Sequence, residues 1–113
     1  MIEKIIYDYL SENTEVPVYL DQFESASDCI VLEKTGGGRT NRLHTAMIAV
    51  QSYGSSMFKA ASLNETVKQL MLNAVSLPDI SAVSINSDYN FTDTEAKRYR
   101  YQAVFDIVYY GGY

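Results

Sequence analysis

Apolar residues recur at helical spacing in two parts of the chain and alternate with polar residues in several others. Near the start, Ile2, Ile5, Ile6, Tyr9 and Leu10 are spaced so as to predict an amphipathic helix over residues 2–12. A second stripe predicts a helix that begins after a capping serine, Ser55 or Ser56, and is broken at Pro78. Its members are Ala60, Leu63, Val67, Leu70, Met71 and Ala74.

Five runs with many β-branched and aromatic residues predict strands. They are VPVYL (16–20), DCIVLEK (28–34), LHTAMIAVQSY (43–53), ISAVSIN (80–86) and RYRYQAVFDIVYY (98–110). Pro17 has no backbone N–H, so the first run is predicted at a sheet edge. The apolar phase slips between Ile80 and Val83, which predicts a bulge. SDYNFTDTEAK, between the last two runs, is predicted to be a long polar loop.

The last strand has two faces of different character. Tyr99, Tyr101, Ala103, Phe105, Ile107 and Tyr109 share the face that we expect to lie on the helices, and Arg100, Gln102, Val104, Asp106 and Val108 share the other. The element order α-β-β-β-α-β-β predicts an α+β fold, a single domain over residues 1–113. Its sheet is expected to be mostly antiparallel, with two helices packed on one face.

Composition and charge narrow the classes of function. A net charge of −5 argues against general binding of nucleic acid, which needs a basic face. No apolar run approaches a membrane span, and MIEKIIYDYL carries acids that a signal peptide lacks. The single cysteine, Cys29, excludes an internal disulfide and is interpreted as a small buried hydrophobe in a strand. Strand packing accounts for most of the ten tyrosines, and the surplus favours a binding protein.

The glycine-rich segment EKTGGGRTNR (33–42) suggests a phosphate-binding loop at first sight. A P-loop needs a lysine after its last glycine and then a helix, whereas this segment leads into the β-like run LHTAMIAV. The pattern G-x-G-x-x-G also fails, because Arg39, Thr40 and Asn41 follow the glycines. We therefore expect no nucleotide site.

The same segment is interpreted as the tip of a β-hairpin, with Arg39 and Arg42 at its base. Two alternatives remain open: a solvated loop, and an arm that orders only on contact with another subunit. Three glycines maximise backbone entropy, so residues 35–41 are expected to be poorly ordered in an isolated subunit.

Other candidate chemical groups lack the partners that their chemistry needs. His44 is the single histidine and is predicted to be a strand residue near the hairpin end. Asp88, Asn90, Asp93 and Glu95 partly resemble a calcium loop, but its glycine and final glutamate are missing, which favours a solvated acidic loop. No catalytic residue, metal site or cofactor is predicted.

The segment KRYR (97–100) places Arg98 and Arg100 on one side of a strand start and Tyr99 and Tyr101 on the other. Such interleaving can bind single-stranded nucleic acid. In an acidic chain, an arginine pair that meets carboxylates of a neighbouring subunit is the favoured interpretation. Asp88, Asp93 and Glu95 are the carboxylates considered for this pairing.

Four segments together resemble the small tail terminator proteins, also called tail-completion or minor capsid proteins, of long-tailed bacteriophages and prophages of Gram-positive bacteria. The segments are VLEKTGGG, AVQSYGSSMFKAASLNETVKQLM, SDYNFTD and KRYRYQAVFDIVYY, and the resemblance covers about residues 28–110. It implies an α/β fold of this order and a non-enzymatic role in a homo-oligomeric ring, commonly a hexamer. The ring would cap the tail tube and meet the head–tail connector proteins in the virion, after synthesis in the bacterial cytoplasm.

The sequence thus gives one leading hypothesis and one alternative. In the first, a subunit or partner interface includes Arg39, Arg42, Tyr89, Phe91, Arg98 and Arg100. The partners would be further copies of the chain, the tail tube protein and the connector, with no membrane and no specific nucleic acid. The alternative is a monomeric cytoplasmic protein-binding module with a tyrosine-rich sheet surface. A small enzyme is the third possibility, and the missing catalytic constellations argue against it.

Overall fold

The computed structural model describes residues 1–20, 28–40, 43–92 and 98–110, and its elements follow the predicted order. Among these residues, helix α1 (Ile2–Asn13) precedes strands β1 (Val18–Tyr19), β2 (Cys29–Thr40) and β3 (Leu43–Gly54). Helix α2 (Met57–Asn73) comes next and ends in a short 3-10 turn (Ala74–Ser76). Strands β4 (Ile80–Asn90) and β5 (Tyr99–Tyr110) complete the order α-β-β-β-α-β-β, and the predicted α+β class is confirmed.

The strands form one sheet in the order β1-β2-β3-β5-β4. Strand β3 pairs antiparallel with β2 on one side and with β5 on the other, and β4 pairs antiparallel with β5. Strand β1 lies parallel to β2, with Val18 opposite Ile30. The sheet is therefore mostly antiparallel, and the predicted edge position of VPVYL is confirmed for the two residues that form a strand.

Both helices pack on the same face of the sheet. Helix α1 buries Ile2, Ile6 and Leu10 there, and α2 buries Val67 and Met71. The sheet contributes Ile30, Leu32, Ala46, Ile48, Val50, Ala103, Phe105, Ile107 and Tyr109 to this core. The hydroxyl of Tyr9 donates to the Leu70 carbonyl oxygen at 2.7 Å and so links the two helices. The predicted helix-facing side of β5 is confirmed from Ala103 to Tyr109.

A tight turn joins β3 to α2. The Ser56 hydroxyl oxygen accepts a hydrogen bond from the Lys59 backbone N–H at 3.2 Å, which confirms the predicted serine cap. Gly54 lies against the first turn of the helix, where a Cβ atom would stand 2.4 Å from the backbone nitrogen of Ala60. The glycine is therefore required by close approach of two backbone segments.

The predicted flexible hairpin tip is wrong for residues 35–40, which belong to β2. Gly36 lies opposite Met47, and Arg39 lies opposite His44. The same part of β3 pairs with β5 on its other side, so these residues form the margin of a continuous sheet. Residues 41 and 42 lie outside the described residues.

Strand β4 is also longer than predicted, because it runs to Asn90 through part of the expected polar loop. The long β5 strand offers partners for this extension, with Asn90 opposite Tyr101. The predicted bulge is confirmed by a register shift between Ile80 and Ala82, and a second shift lies between Ile85 and Ser87. The interpretation of Asp88 and Asn90 as loop residues is therefore wrong.

Candidate interface on the helix-free face of the sheet

The sheet face opposite the helices carries a connected group of arginine, aromatic and amide side chains. The group is called the arginine–aromatic surface and consists of Gln51, Tyr53, Tyr89, Phe91, Arg98, Arg100 and Gln102. Strand register brings them together, since Tyr53 lies opposite Arg100, and both Gln51 and Tyr89 lie opposite Gln102. Side chains opposite one another in antiparallel strands share a face, so three strands contribute to one surface.

Arg100 is fixed by hydrogen bonds and by ring contacts. Its Nε donates to the Phe91 carbonyl oxygen at 2.6 Å, and its Nη1 donates to the Tyr53 hydroxyl at 3.0 Å. The guanidinium carbon lies 4.3 Å from the centre of the Phe91 ring. The guanidinium carbon of Arg98 lies 4.5 Å from the centre of the Tyr53 ring. Cation–π contacts of this kind contribute about 0.5–1 kcal/mol at exposed sites, so the rings hold both cations in place.

A chain of hydrogen bonds connects Arg100, through Tyr53, to the edge strand β4. The Tyr53 hydroxyl donates to Gln51 Oε1 at 3.0 Å, and Gln51 Nε2 donates to Gln102 Oε1 at 2.9 Å. Gln102 Nε2 donates in turn to the Tyr89 hydroxyl. The Tyr89 ring meets the Phe91 ring edge-on, with 5.8 Å between ring centres. The surface is thus pre-ordered across β3, β5 and β4, since each polar group named here fixes the next.

A small apolar cluster adjoins the surface on the same face of the sheet, where Cys29 lies opposite Tyr53. It consists of Cys29, Val31 and Tyr53, with Tyr19 packed against it. Cys29 is fully buried, which confirms its interpretation as a small hydrophobe in a strand. Burial raises the pKa of the Cys29 thiol above its usual range; the nearby charge of Arg98 lowers it and that of Asp28 raises it.

Aromatic side chains are exposed at this end of the molecule. Tyr89 is 41% exposed, and Phe91 is 38% exposed. Tyr99, where β5 begins, is also exposed, and Phe58 in the first turn of α2 is 80% exposed. Exposed aromatic side chains beside ordered arginines are typical of the central part of protein–protein interfaces.

The structure brings together four of the six residues predicted for an interface: Tyr89, Phe91, Arg98 and Arg100. Arg39 lies elsewhere, exposed near the end of β2 and opposite His44. Along β3, His44 and Tyr53 are separated by nine positions, which at about 3.3 Å per residue is roughly 30 Å. Arg39 therefore belongs to the opposite end of the sheet, and Arg42 lies outside the described residues.

Asp88 was one of the carboxylates considered for pairing with another subunit, and the structure gives it two partners within its own subunit. Its Oδ1 accepts from Asn64 Nδ2 at 2.7 Å, and its Oδ2 pairs with Lys68 Nζ at 2.6 Å. These contacts tie β4 to α2 on the helix-covered face. The hydrogen bond that Lys68 donates to Asp88 raises the pKa of Lys68 above its usual range, and a second one donated to Glu65 adds to the effect. Asp93 and Glu95 lie outside the described residues.

The histidine and the three glycines that the sequence singled out are all strand residues with a structural role. His44 is the second residue of β3, and its ring centre is 5.2 Å from that of Tyr109. The three glycines lie within β2 and lead towards β3, so the predicted entry into a strand is confirmed. Across the four described stretches of chain, no group of three or more His, Cys, Asp or Glu residues could hold a metal ion.

The sequence did not reveal Gln51, Tyr53 or Gln102 as members of the surface. Alternation along β5 places Gln102 on the same side as Arg100, but its partners depend on the register of β3. The run QSY looked like the end of a strand before a turn, and local sequence does not give a pairing with a strand some fifty positions away.

Comparison with protein-family models and with curated proteins found no relative of this chain. The sequence matches no protein-family model, and no curated protein matches it significantly. In the part of the chain that the structure describes, no helix has the length and apolarity needed to cross a membrane. The fold and the site define an α+β domain with an ordered arginine–aromatic surface on its helix-free face.

Proposed function

We propose that this protein is a structural subunit of a bacteriophage or prophage tail, a tail terminator. In this role, copies of the chain form a ring that caps the tail tube, ends its polymerisation and joins the tail to the head–tail connector in the virion. The observation that carries the proposal is the arginine–aromatic surface, taken with the resemblance of residues 28–110 to tail terminator proteins. The proposal assigns no catalytic activity and no cofactor.

The arginine–aromatic surface supports a role in subunit contacts on energetic grounds. Arginine and tyrosine are enriched among the residues that contribute most of the binding energy at protein interfaces. Long side chains usually lose conformational freedom on binding, which opposes association. Because Arg100 is already held by Phe91 and Tyr53, less of this loss remains when a partner arrives.

Reversing the two arginine charges tests the proposal. The variant Arg98→Glu with Arg100→Glu should remain folded, as circular dichroism would show, and should weaken assembly or tail capping. Complementation of a phage that lacks the protein would give the tail-length distribution, which should broaden towards longer tails. The effect on assembly should be larger at low salt, where exposed charges are least screened. The variant Lys59→Glu, with its exposed lysine on α2, is the matched control.

Tails of normal and uniform length from the folded double variant would contradict the role of the arginines. A specific complex with ATP or GTP, detected by titration calorimetry, would contradict the structural role. These two results point to different errors, one about the surface and the other about the class of protein.

The alternative function is a monomeric module that binds another protein through the same surface. The exposed rings of Tyr89 and Phe91 favour it, because they are accessible on a single subunit. Sedimentation over a range of concentrations separates the two functions. A ring-forming subunit self-associates as concentration rises or on tail tubes, whereas the module stays monomeric in both settings and leaves tube length unchanged.

A further inference from the structure

We propose that the arginine–aromatic surface of one subunit binds the outer face of helix α1 of a second copy. This inference rests on the ring proposed above and names the two surfaces that meet in it. It replaces the expected pairing with Asp88, which is already bonded within its own subunit.

The outer face of α1 carries an excess of negative charge. Four carboxylates, those of Glu3, Asp8, Glu12 and Glu15, lie on the helix or just after it, against the single lysine Lys4. Lys4 pairs with Asp8, with 3.0 Å between Nζ and Oδ2. Glu12 and Glu15 are exposed and form no ion pair within the described parts of the chain. They are therefore available to a cation from another molecule.

Four carboxylates elsewhere in the described structure already accept hydrogen bonds. Glu65 and Asp88 both bind Lys68, and Asp106 accepts from Asn86 Nδ2 at 3.1 Å. Asp28 accepts from the backbone N–H of Ser55 at 2.9 Å. Glu33 and Asp79 are isolated acids, whereas several acids are grouped on or beside α1. Charge complementarity therefore favours the α1 face, where Glu12 and Glu15 form no ion pair within the described residues.

Arg100 retains donors that can reach a carboxylate. A guanidinium has five N–H groups, and the bonds to Phe91 and Tyr53 use two of them. The rings leave the cation half-buried with a fixed orientation, which suits hydrogen bonding to a carboxylate. Arg98, stacked on Tyr53, adds a second positive charge to the same surface.

The positions of the two surfaces require contact between different subunits. Helix α1 lies on the helix-covered face near β1, at one edge of the sheet, while the arginine–aromatic surface lies on the other face and extends to β4 at the opposite edge. Pairing the arginine–aromatic surface with itself around a two-fold axis would bring arginine to arginine. A head-to-tail contact brings unlike charges together and can repeat until a ring closes.

A mixing experiment tests the inference with two full-length variants. In Arg98→Glu with Arg100→Glu both surfaces carry an excess of negative charge, and in Glu12→Arg with Glu15→Arg both carry an excess of positive charge. Each variant alone should associate at least about tenfold more weakly than the wild type, because like charges then face each other at every contact. An equimolar mixture should associate again, since each copy then meets a partner of opposite charge on both sides. Sedimentation velocity at low salt measures all three samples.

Rescue by mixing cannot be produced by misfolding of Arg98→Glu with Arg100→Glu, which would persist in the mixture. The quadruple variant, with all four substitutions in one chain, should also associate, and Lys59→Glu should behave as the wild type does. If the wild type associates and caps tails but the mixture does not recover, the inference is wrong and the proposed function stands. If neither the wild type nor the mixture associates, alone or on tail tubes, the ring itself is wrong.

Discussion

Arg100 and Phe91 are joined twice, by a 2.6 Å hydrogen bond from the arginine Nε to the Phe91 carbonyl oxygen and by stacking of the guanidinium 4.3 Å from the ring centre. The first contact uses the backbone and the second uses the side chain of the same residue. Arg100 therefore has a defined direction before any partner binds.

The variant Tyr53→Phe should lower the free energy of unfolding by about 1 kcal/mol, the usual loss when a side-chain hydrogen bond is removed. The tyrosine hydroxyl accepts from Arg100 and donates to Gln51, so its removal leaves both groups short of a partner. The ring stays, and with it the stacking of Arg98. Urea unfolding measures the change. Tyr7→Phe is the control, because the Tyr7 hydroxyl makes no hydrogen bond to the described residues; equal losses in both would contradict the network.

The variant Gly54→Ala should be destabilised by about 1–3 kcal/mol, the range for overpacking a close contact. The added Cβ would meet the Ala60 backbone nitrogen at 2.4 Å, and a backbone atom in a helix cannot rotate away as a side chain can. Gly36→Ala is the control, since its Cβ would lie 3.9 Å from the Met47 Cβ, an ordinary contact. Thermal unfolding should rank Gly54→Ala well below Gly36→Ala, and the reverse order would contradict the close approach.

The Lys68–Asp88 pair should make the protein lose stability as the pH rises into the alkaline range. The hydrogen bonds that Lys68 donates to Asp88 and then to Glu65 raise the pKa of Lys68 above its ordinary 10.5, so the folded protein holds this proton more tightly than the unfolded chain does. The stabilisation is complete below 10.5 and is lost as pH rises through the higher folded-state pKa. Asp88→Asn should therefore be less stable than the wild type at neutral pH, and the gap should narrow in strongly alkaline solution.

Urea unfolding of both proteins at neutral and alkaline pH measures this gap. The comparison between variants removes effects that both share, such as the ionisation of tyrosines. Glu12→Gln, which alters an exposed carboxylate on α1, is the control and should follow the wild type at each pH. A gap for Asp88→Asn that stays constant across the alkaline range would show that the pair does not stabilise the fold.

The thiol of Cys29 should react with a thiol reagent far more slowly in the folded protein than in denaturant. Burial blocks access and raises the thiol pKa, which lowers the fraction of reactive thiolate. Ser62→Cys supplies a control within the same chain, because position 62 is exposed on α2. In that variant one thiol should react at once and the other only on unfolding. Rapid reaction of both would mean that the apolar cluster beside the arginine–aromatic surface opens readily.

Structural features that depend only on residues close together in the chain were predictable from the sequence. The Ser56 cap, the apolar stripe of α2 and the two faces of β5 follow from short-range spacing, and the structure confirms them. The extension of β2 through Gly38 was missed because glycine carries no strand propensity, and pairing with β3 decides its conformation. Residues 88–90 were assigned to a loop for the same reason, since their place in β4 depends on β5.

The candidate site was predictable in part. Arg98, Arg100, Tyr89 and Phe91 stand out as basic and aromatic residues near strand ends, and the structure brings them to one surface. Tyr53 and Gln51 join them through a register between strands that are far apart in the chain, which no local pattern contains. The ion pair between Asp88 and Lys68 likewise depends on how α2 packs against β4, which the local sequence does not give.

The position of β5 between β3 and β4 has a consequence for the order in which the fold can form during synthesis. Until residues 99–110 have emerged from the ribosome, β3 has one unpaired edge and β4 has no neighbour in the sheet. The hairpin of β2 and β3 can close early, but Ile48, Val50 and Met71 stay without Phe105 and Ile107 to cover them. Cooperative folding therefore waits for β5, and until then the nascent chain exposes apolar surface that favours aggregation and that a bound chaperone would shield.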